Sequence, residues 1–233
     1  MTSVYMLTND CENPFIEHFD EVIETLRKKD VVLSLGNTMR SGCIHDLRDK
    51  AQLMEIETNI RLAKRANEEG VQVIIEGMGG HVQAAEIPKY VNLYKSRSAF
   101  PLFIAGPLPT DVALGYDHIA GAVGASMASG AGADYLCYIT PAEHLALPNP
   151  EQVREGLIAF RIAAHIGDSM KYGLRERDLL LAQKRARFDW GGQIKLALDP
   201  EKPWDMCPMT GPCSMCGKYC AIKIMGDYLA GDE

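Results

Sequence analysis

Four short apolar runs, each preceded by a stretch of helical periodicity, constrain this chain more than anything else in it: residues 31–36, 71–77, 101–106 and 135–140. Residues 19–29 place Phe19, Val22, Ile23 and Leu26 at helical spacing, and 31–36 then reads as a strand buried on both faces. A long amphipathic helix over 49–69, with Leu53, Ile56, Ile60, Ala63 and Ala66 on one face, stops at Gly70 before the second strand. A shorter helix over 87–94 leads to the third strand, and the Ala- and Gly-rich segment 118–130, a helix that packs closely on the sheet, leads to the fourth. Four βα units in succession predict a parallel sheet. Residues 1–18 hold turn signals, Asn9-Asp10 and Asn13-Pro14, and a short apolar piece over 4–7, but no complete element. Two helices are expected over 150–171 and 175–188, and the final segment, with Pro200, Pro203, Pro208 and Pro212, reads as an extended arm. This divides the chain into an α/β domain over 1–190 and an arm over 191–233.

The arm carries Cys213, Cys216 and Cys220, punctuated by Gly211, Pro212 and Gly217, so that three sulfurs can converge on one centre. A structural zinc normally takes four protein ligands, whereas a cluster built for chemistry leaves one iron free. Three local cysteines therefore suggest a [4Fe–4S] cluster with an open iron. S-adenosylmethionine is the candidate ligand, because its amine and carboxylate can chelate iron while an electron breaks its sulfonium bond to give a 5′-deoxyadenosyl radical. Three other readings stay open: zinc with Cys207 as fourth ligand, a disulfide pair, and reduced thiols in a frayed tail.

The 233 residues, 47% of them apolar, suffice for one well-packed domain, and an α/β barrel sits near this length. A net charge of −7 with scattered Lys and Arg argues against nucleic acid or an anionic membrane as partner. The apolar runs are too short to span a bilayer. Seven cysteines, an odd number, do not make a secreted disulfide framework, and the first residues lack the apolar core of a signal peptide. A reduced, cytoplasmic protein is expected.

Ligands of a parallel barrel bind at the C-terminal ends of its strands, so the residues just after each run carry the chemistry. After the first stands Asn37-Thr38-Met39-Arg40 between glycines, where Arg40 can hold a phosphate through its planar fork or, alternatively, pair with Asp46 or Asp49. After the second comes Glu76-Gly77-Met78-Gly79-Gly80-His81, and after the fourth Thr140-Pro141-Ala142-Glu143-His144. Two histidines on such loops can meet across the mouth as half of a metal site, although either alone is more often a satisfied hydrogen-bonder. Glu76 is the candidate acid/base carboxylate. The turn after the third run, with Asp111, Asp117 and His118, either lines the pocket or forms a rigid helix entry; His18, His45 and His165 read as structural.

Together these loops and the cysteine arm resemble the phosphomethylpyrimidine synthase family of noncanonical radical S-adenosylmethionine enzymes. The matching pieces include Glu12-Asn13-Pro14, Ile75-Glu76-Gly77, Gly106-Pro107-Leu108, Gly115-Tyr116-Asp117-His118, Glu143-His144-Leu145, Leu147-Pro148-Asn149 and Cys213-Ser214-Met215-Cys216-Gly217. The resemblance implies that His81 and His144 bind a divalent metal, typically zinc. It implies also that Glu76, Arg40 and their neighbours contact 5-aminoimidazole ribotide, and that Cys213, Cys216 and Cys220 hold the cluster. It implies a homodimer whose cysteine arm closes over the partner's barrel, an electron donor, and a (β/α)8 TIM barrel of which this chain holds the last four βα units. The N-terminal half is then expected from a longer chain or a separate one.

The departures bear on the product. Asn37-Thr38-Met39 stands where thiamin-pyrimidine-forming members have Asp-Gly-Leu, Phe103 stands where they have a substrate-contacting tyrosine, and the glycine turn before His81 is longer. The last cysteine gap is shorter. These changes point to the 5-hydroxybenzimidazole synthase branch, which supplies the lower-ligand precursor of anaerobic cobamides from the same ribotide. Synthesis of the thiamin pyrimidine is the alternative. Two readings from other classes are an ordinary metal-dependent hydrolase or lyase with a zinc knot, and a non-catalytic half-barrel subunit.

Overall fold

The computed structural model describes residues 1–46, 48–77 and 79–230. The chain begins with two helices that the sequence reading leaves as turns, α1 (Thr2–Asn9) and α2 (Pro14–Glu17). The Asn13-Pro14 signal is a helix start: the Asn13 side chain accepts the Phe15 N–H, and Pro14 occupies a first-turn position that needs no donor. Helix α3 (Phe19–Lys29) buries Phe19 and Ile23 and ends at Asp30 in the left-handed conformation.

Strands β1 (Leu33–Leu35), β2 (Val73–Glu76), β3 (Leu102–Ala105) and β4 (Tyr135–Cys137) form one parallel sheet in sequential order, as the repeating βα pattern predicts. Helices α4 (Lys50–Glu68), α5 (Ile87–Arg97) and α6 (Asp117–Ala131) connect them. Burial alternates along β2 and β3, and in β1, where the sequence reading expects both faces covered, only Leu35 is buried while Ser34 is exposed. On the covered face Leu35, Val73, Ile75, Leu102 and Ile104 form one core with Ile56, Ile60 and Val91 of the helices. Each such side chain stabilises the fold by about 1.5–3 kcal/mol. The other face carries Ser34, Ile74, Glu76, Phe103, Tyr135 and Cys137, none of them buried.

Helix α6 fits closely because its contact positions are small. A Cβ on Gly124 would lie 2.1 Å from the Pro107 carbonyl oxygen, in the turn after β3. Helix α7 (Pro150–Tyr172) makes a similar approach: a Cβ on Gly156 would meet the Ile139 oxygen at 2.4 Å.

The chain divides into two compact units, Met1–Gly167 and Asp168–Glu233, whereas the sequence reading draws its line at 190. Packing explains the difference. Helix α8 (Glu176–Ala186) belongs with α9 (Trp190–Leu196), since Arg177 donates to the carbonyl oxygens of Leu196 (2.7 Å) and Ala197 (2.9 Å) at the end of α9. The expected extended arm is largely helical, with α10 (Glu201–Trp204) and α11 (Ala221–Ala230) on either side of the cysteine loop. Pro203 is tolerated in α10 because first-turn N–H groups have no intrahelical partner. None of the described helices is long and apolar enough to cross a membrane.

Candidate active site

The turn after β1 is shaped from α4. Polar residues Gln52, Glu55 and Asn59 lie on one side of that helix; Glu55 and Asn59 hold the turn's backbone, and Gln52 holds the Ser41 side chain. Asn59 donates to the Gly36 carbonyl at 2.9 Å, and Glu55 accepts the N–H groups of Thr38 (2.6 Å) and Met39 (3.0 Å). With its amide oriented to suit its neighbours, Asn37 donates to Glu55 at 3.0 Å and accepts from the Gly79 N–H at 3.1 Å. Gln52 donates to the Ser41 hydroxyl at 3.2 Å and accepts from the Tyr90 hydroxyl at 2.8 Å. Burial pushes the Tyr90 hydroxyl up to about 12, and burial likewise raises the Glu55 carboxyl, against the lowering effect of the Met39 and Thr38 amides.

Within this turn Asn37 is buried and shapes the loop, whereas Thr38, Met39 and Arg40 are exposed. The alternative pairing of Arg40 with Asp46 or Asp49 is not found. Asp46 accepts the Gly42 and Cys43 amides (2.7 and 3.3 Å), and Asp49 caps α4 through the Gln52 amide (2.8 Å). Arg40 donates to the Asn37 carbonyl at 3.3 Å and has no carboxylate partner among the described residues.

Glu76 ends β2 on the open face, in register with Phe103, which in turn pairs with Tyr135; the two rings lie 5.2 Å apart. Cys137 follows on the same face, and burial, aided by the negative charges of Glu76 and Glu143, raises its thiol. Met78 of the glycine turn lies outside the described residues. Gly80, at φ +71, bridges to Ser41 and lets the chain turn where a Cβ would meet the Ser41 carbonyl oxygen at 2.3 Å.

His81 and His144 come together. Their Nε2 atoms are 3.3 Å apart, with ring centroids at 4.9 Å. Each Nδ1 engages a carboxylate: His81 with Asp111 Oδ1 at 2.6 Å, and His144 with Asp117 Oδ2 at 3.1 Å. Burial works against ionisation of Asp111, but the Ile44 amide and His81 outweigh it and hold this carboxyl below its ordinary range. His144 has φ +62, an uncommon conformation for a residue with a side chain and one that clusters at functional sites.

The donor set fits a metal ion. A carboxylate can only accept, so an Nδ1 bonded to one carries the proton and leaves an Nε2 lone pair. Two lone pairs facing each other repel unless a proton on one ring or a metal ion stands between them. Two nitrogens about 2.0–2.1 Å from one tetrahedral zinc stand about 3.3–3.4 Å apart, matching this pair. Among the described residues no group of three or more His, Cys, Asp or Glu is placed to hold a metal ion, either around this histidine pair or at the expected cluster ligands Cys213, Cys216 and Cys220, whose sulfurs the structure does not bring together as a metal site. His118 does not join; it is buried and pairs with Glu155 of α7 at 3.3 Å. His18 pairs with Glu21 on the surface.

The second unit holds Cys207, Cys213, Cys216 and Cys220, all four as free thiols, Cys216 exposed and Cys220 buried. Cys207 turns to Met209 Sδ at 3.2 Å. The Cys213 carbonyl accepts the Gly217 amide at 3.0 Å, Gly217 has φ +51, and Cys220 sits immediately before α11 with its carbonyl accepting the Ile224 amide. Trp190 of α9 anchors the loop's start, donating to the Gly211 carbonyl at 2.9 Å.

A parallel βα sheet with an opposed histidine pair beyond its strands, and a loop carrying three cysteines in a separate helical unit, defines an α/β class of protein. Within that class the pattern of the radical SAM ThiC family matches residues 1–227, and the chain belongs to this family. It is 46% identical over 236 residues to phosphomethylpyrimidine synthase of Thermoanaerobacter sp. (strain X514), covering 98% of this chain and 54% of that one. It is 48% identical to phosphomethylpyrimidine synthase 1 of Methanosarcina barkeri over 97% of this chain and 54% of that one, and 47% identical to phosphomethylpyrimidine synthase of Geobacter metallireducens over 98% and 54%. The chain thus spans about half the length of the curated relatives it matches. Their name favours the phosphomethylpyrimidine reading over the 5-hydroxybenzimidazole one, for which the similarity offers no specific support.

Proposed function

We propose that this chain supplies the metal, cluster and part of the ribotide site of a phosphomethylpyrimidine synthase, which rearranges 5-aminoimidazole ribotide to the thiamin pyrimidine phosphate. The observation that carries the reading is the opposed pair His81 and His144, whose Nε2 atoms face each other at 3.3 Å at the sheet end that also presents Glu76. A [4Fe–4S] cluster held by Cys213, Cys216 and Cys220 would supply the electron that cleaves bound S-adenosylmethionine; His81 and His144 would hold a divalent metal, zinc by ligand type. Arg40, exposed and without a carboxylate partner, binds the ribotide phosphate through its fork. Glu76 holds or moves a proton at the imidazole ring, and Phe103 with Tyr135 gives that ring an apolar wall. Thr38 and Met39 stand beside Arg40 on the exposed turn, which Asn37 and Glu55 hold in shape, and they contact the same ligand.

The one-sided burial of the sheet supports a further part of the reading: these are four βα units of a (β/α)8 TIM barrel whose inner face is the one carrying Glu76 and Phe103. The remaining units, a homodimer, a one-electron donor and a cytoplasmic setting complete it.

An anaerobic product assay tests the proposal. Reconstituted protein, with the upstream βα units present, is given dithionite, S-adenosylmethionine and 5-aminoimidazole ribotide, and products are read by mass spectrometry. Hydroxymethylpyrimidine phosphate and 5′-deoxyadenosine are expected, and both vanish in Cys216→Ala. Hydroxybenzimidazole instead would move the assignment to the other branch, and absence of 5′-deoxyadenosine would end the radical reading.

A further inference from the structure

We propose that Asp111 and Asp117 are positioning residues of the histidine pair: each holds one imidazole in its Nδ1–H tautomer, turns its Nε2 toward the other, and together they set the site for a divalent cation. The assignment rests on the reading of His81 and His144 as metal ligands. The two carboxylates reach the site from different elements, Asp111 from the turn after β3 and Asp117 from the first turn of α6. Asp111 is held from two sides, with Oδ1 at 2.6 Å from His81 Nδ1 and Oδ2 accepting the Ile44 amide at 3.0 Å. That second bond fixes the carboxylate independently of the histidine.

Asp117 is only 3% exposed, and a carboxylate so buried needs donors. His144 Nδ1 at 3.1 Å is one, and a place in the first turn of α6, at the positive end of the helix, favours an anion there. The ligand class follows from the donor set: two imidazole nitrogens, each backed by a carboxylate, are the arrangement that suits a divalent metal ion.

The test uses full-length protein in a background where Cys213, Cys216 and Cys220 are serine, so that the cysteine loop does not compete for zinc, with His81→Ala in the same background as the reference for binding elsewhere. Zn2+ affinity is read by competition with a chromophoric chelator, and the histidine tautomers of the metal-free protein by 15N NMR at neutral pH. Asp111→Ala and Asp117→Ala are expected to weaken Zn2+ about 10–100-fold, with smaller losses for the Asn variants. Asp111→Ala should shift His81, and Asp117→Ala His144, away from the Nδ1–H tautomer. Should Asp117→Ala fail to fold, Asp117→Asn and Asp111→Ala read the same two quantities. Alanine variants that bind Zn2+ within about twofold of the parent and keep both tautomers would overturn the assignment. A parent that binds no Zn2+, with His81→Ala equally silent, would instead remove the ligand reading on which it stands.

Discussion

At the scale of single residues, Glu55 shows how a side chain far from the sequence motifs can govern a site. Its carboxylate gathers the Thr38 and Met39 amides and the Asn37 side chain, and so dictates the course of the turn that presents Arg40. Burial raises its carboxyl above the ordinary 4.5, so the folded state binds this proton more tightly than the unfolded chain does. The stability this contributes is present below the unfolded value and is lost as pH rises through the raised folded value. Glu55→Gln lacks the step. The stability of the parent minus that of Glu55→Gln, from urea unfolding at a series of pH values, should therefore fall as pH rises above 4.5 and then level off. A difference independent of pH would show that Glu55 titrates as it does when unfolded. A signal for this residue was present in the sequence, since Gln52, Glu55 and Asn59 place polar groups beside the apolar stripe of α4, at Ile56 and Ile60. What Glu55 and Asn59 bond to is the backbone of a turn about twenty residues away, and periodicity says nothing about that.

At the scale of elements, glycine marks where helices come close. Gly124→Ala would drive a methyl group to 2.1 Å from the Pro107 carbonyl oxygen, a backbone atom that cannot rotate aside. The variant should lose about 1–3 kcal/mol of stability through overpacking, read from the urea midpoint at unchanged slope. Gly226→Ala in α11 is the contrast, because nothing lies within 4 Å of its Cβ position. There the change should stabilise the helix by about 0.5–1 kcal/mol, since alanine has less backbone entropy to lose. Equal effects at the two positions would contradict the close approach of α6. The Ala- and Gly-rich run announces this packing, and the helices and strands of the βα units fall where apolar periodicity puts them. The arm is the exception. Its prolines read as extended chain, yet Pro203 lies in the first turn of α10, where proline is compatible with a helix.

At the scale of the whole molecule, the outer edges of β1 and β4 have no strand partner among the described residues, and Val31 and Val32 before β1 are 48% and 51% exposed. Beside β1 runs a groove of about 920 Å³ lined by Met6, Phe15, Phe19, Leu33, Met54 and Leu62 among others. Such edges and apolar surface favour pairing with further chain. The 233-residue chain, purified alone, should therefore sediment as concentration-dependent species above the monomer mass, and Val32→Lys should shift them toward monomer. A single monomeric species at high concentration for the parent would mean these surfaces are not adhesive. By itself the amino-acid sequence determined the βα order, the parallel sheet, the two histidine loops and the cysteine triad, because local periodicity and turn chemistry act over a few residues. Only the tertiary structure decided that the strands are covered on one face, that α8 packs with α9, that Asp46 and Asp49 are spent on backbone amides rather than on Arg40, and that Asp111 and Asp117 stand behind His81 and His144. Those outcomes depend on which distant groups compete for the same donor or surface, and that competition is settled only when the chain has folded.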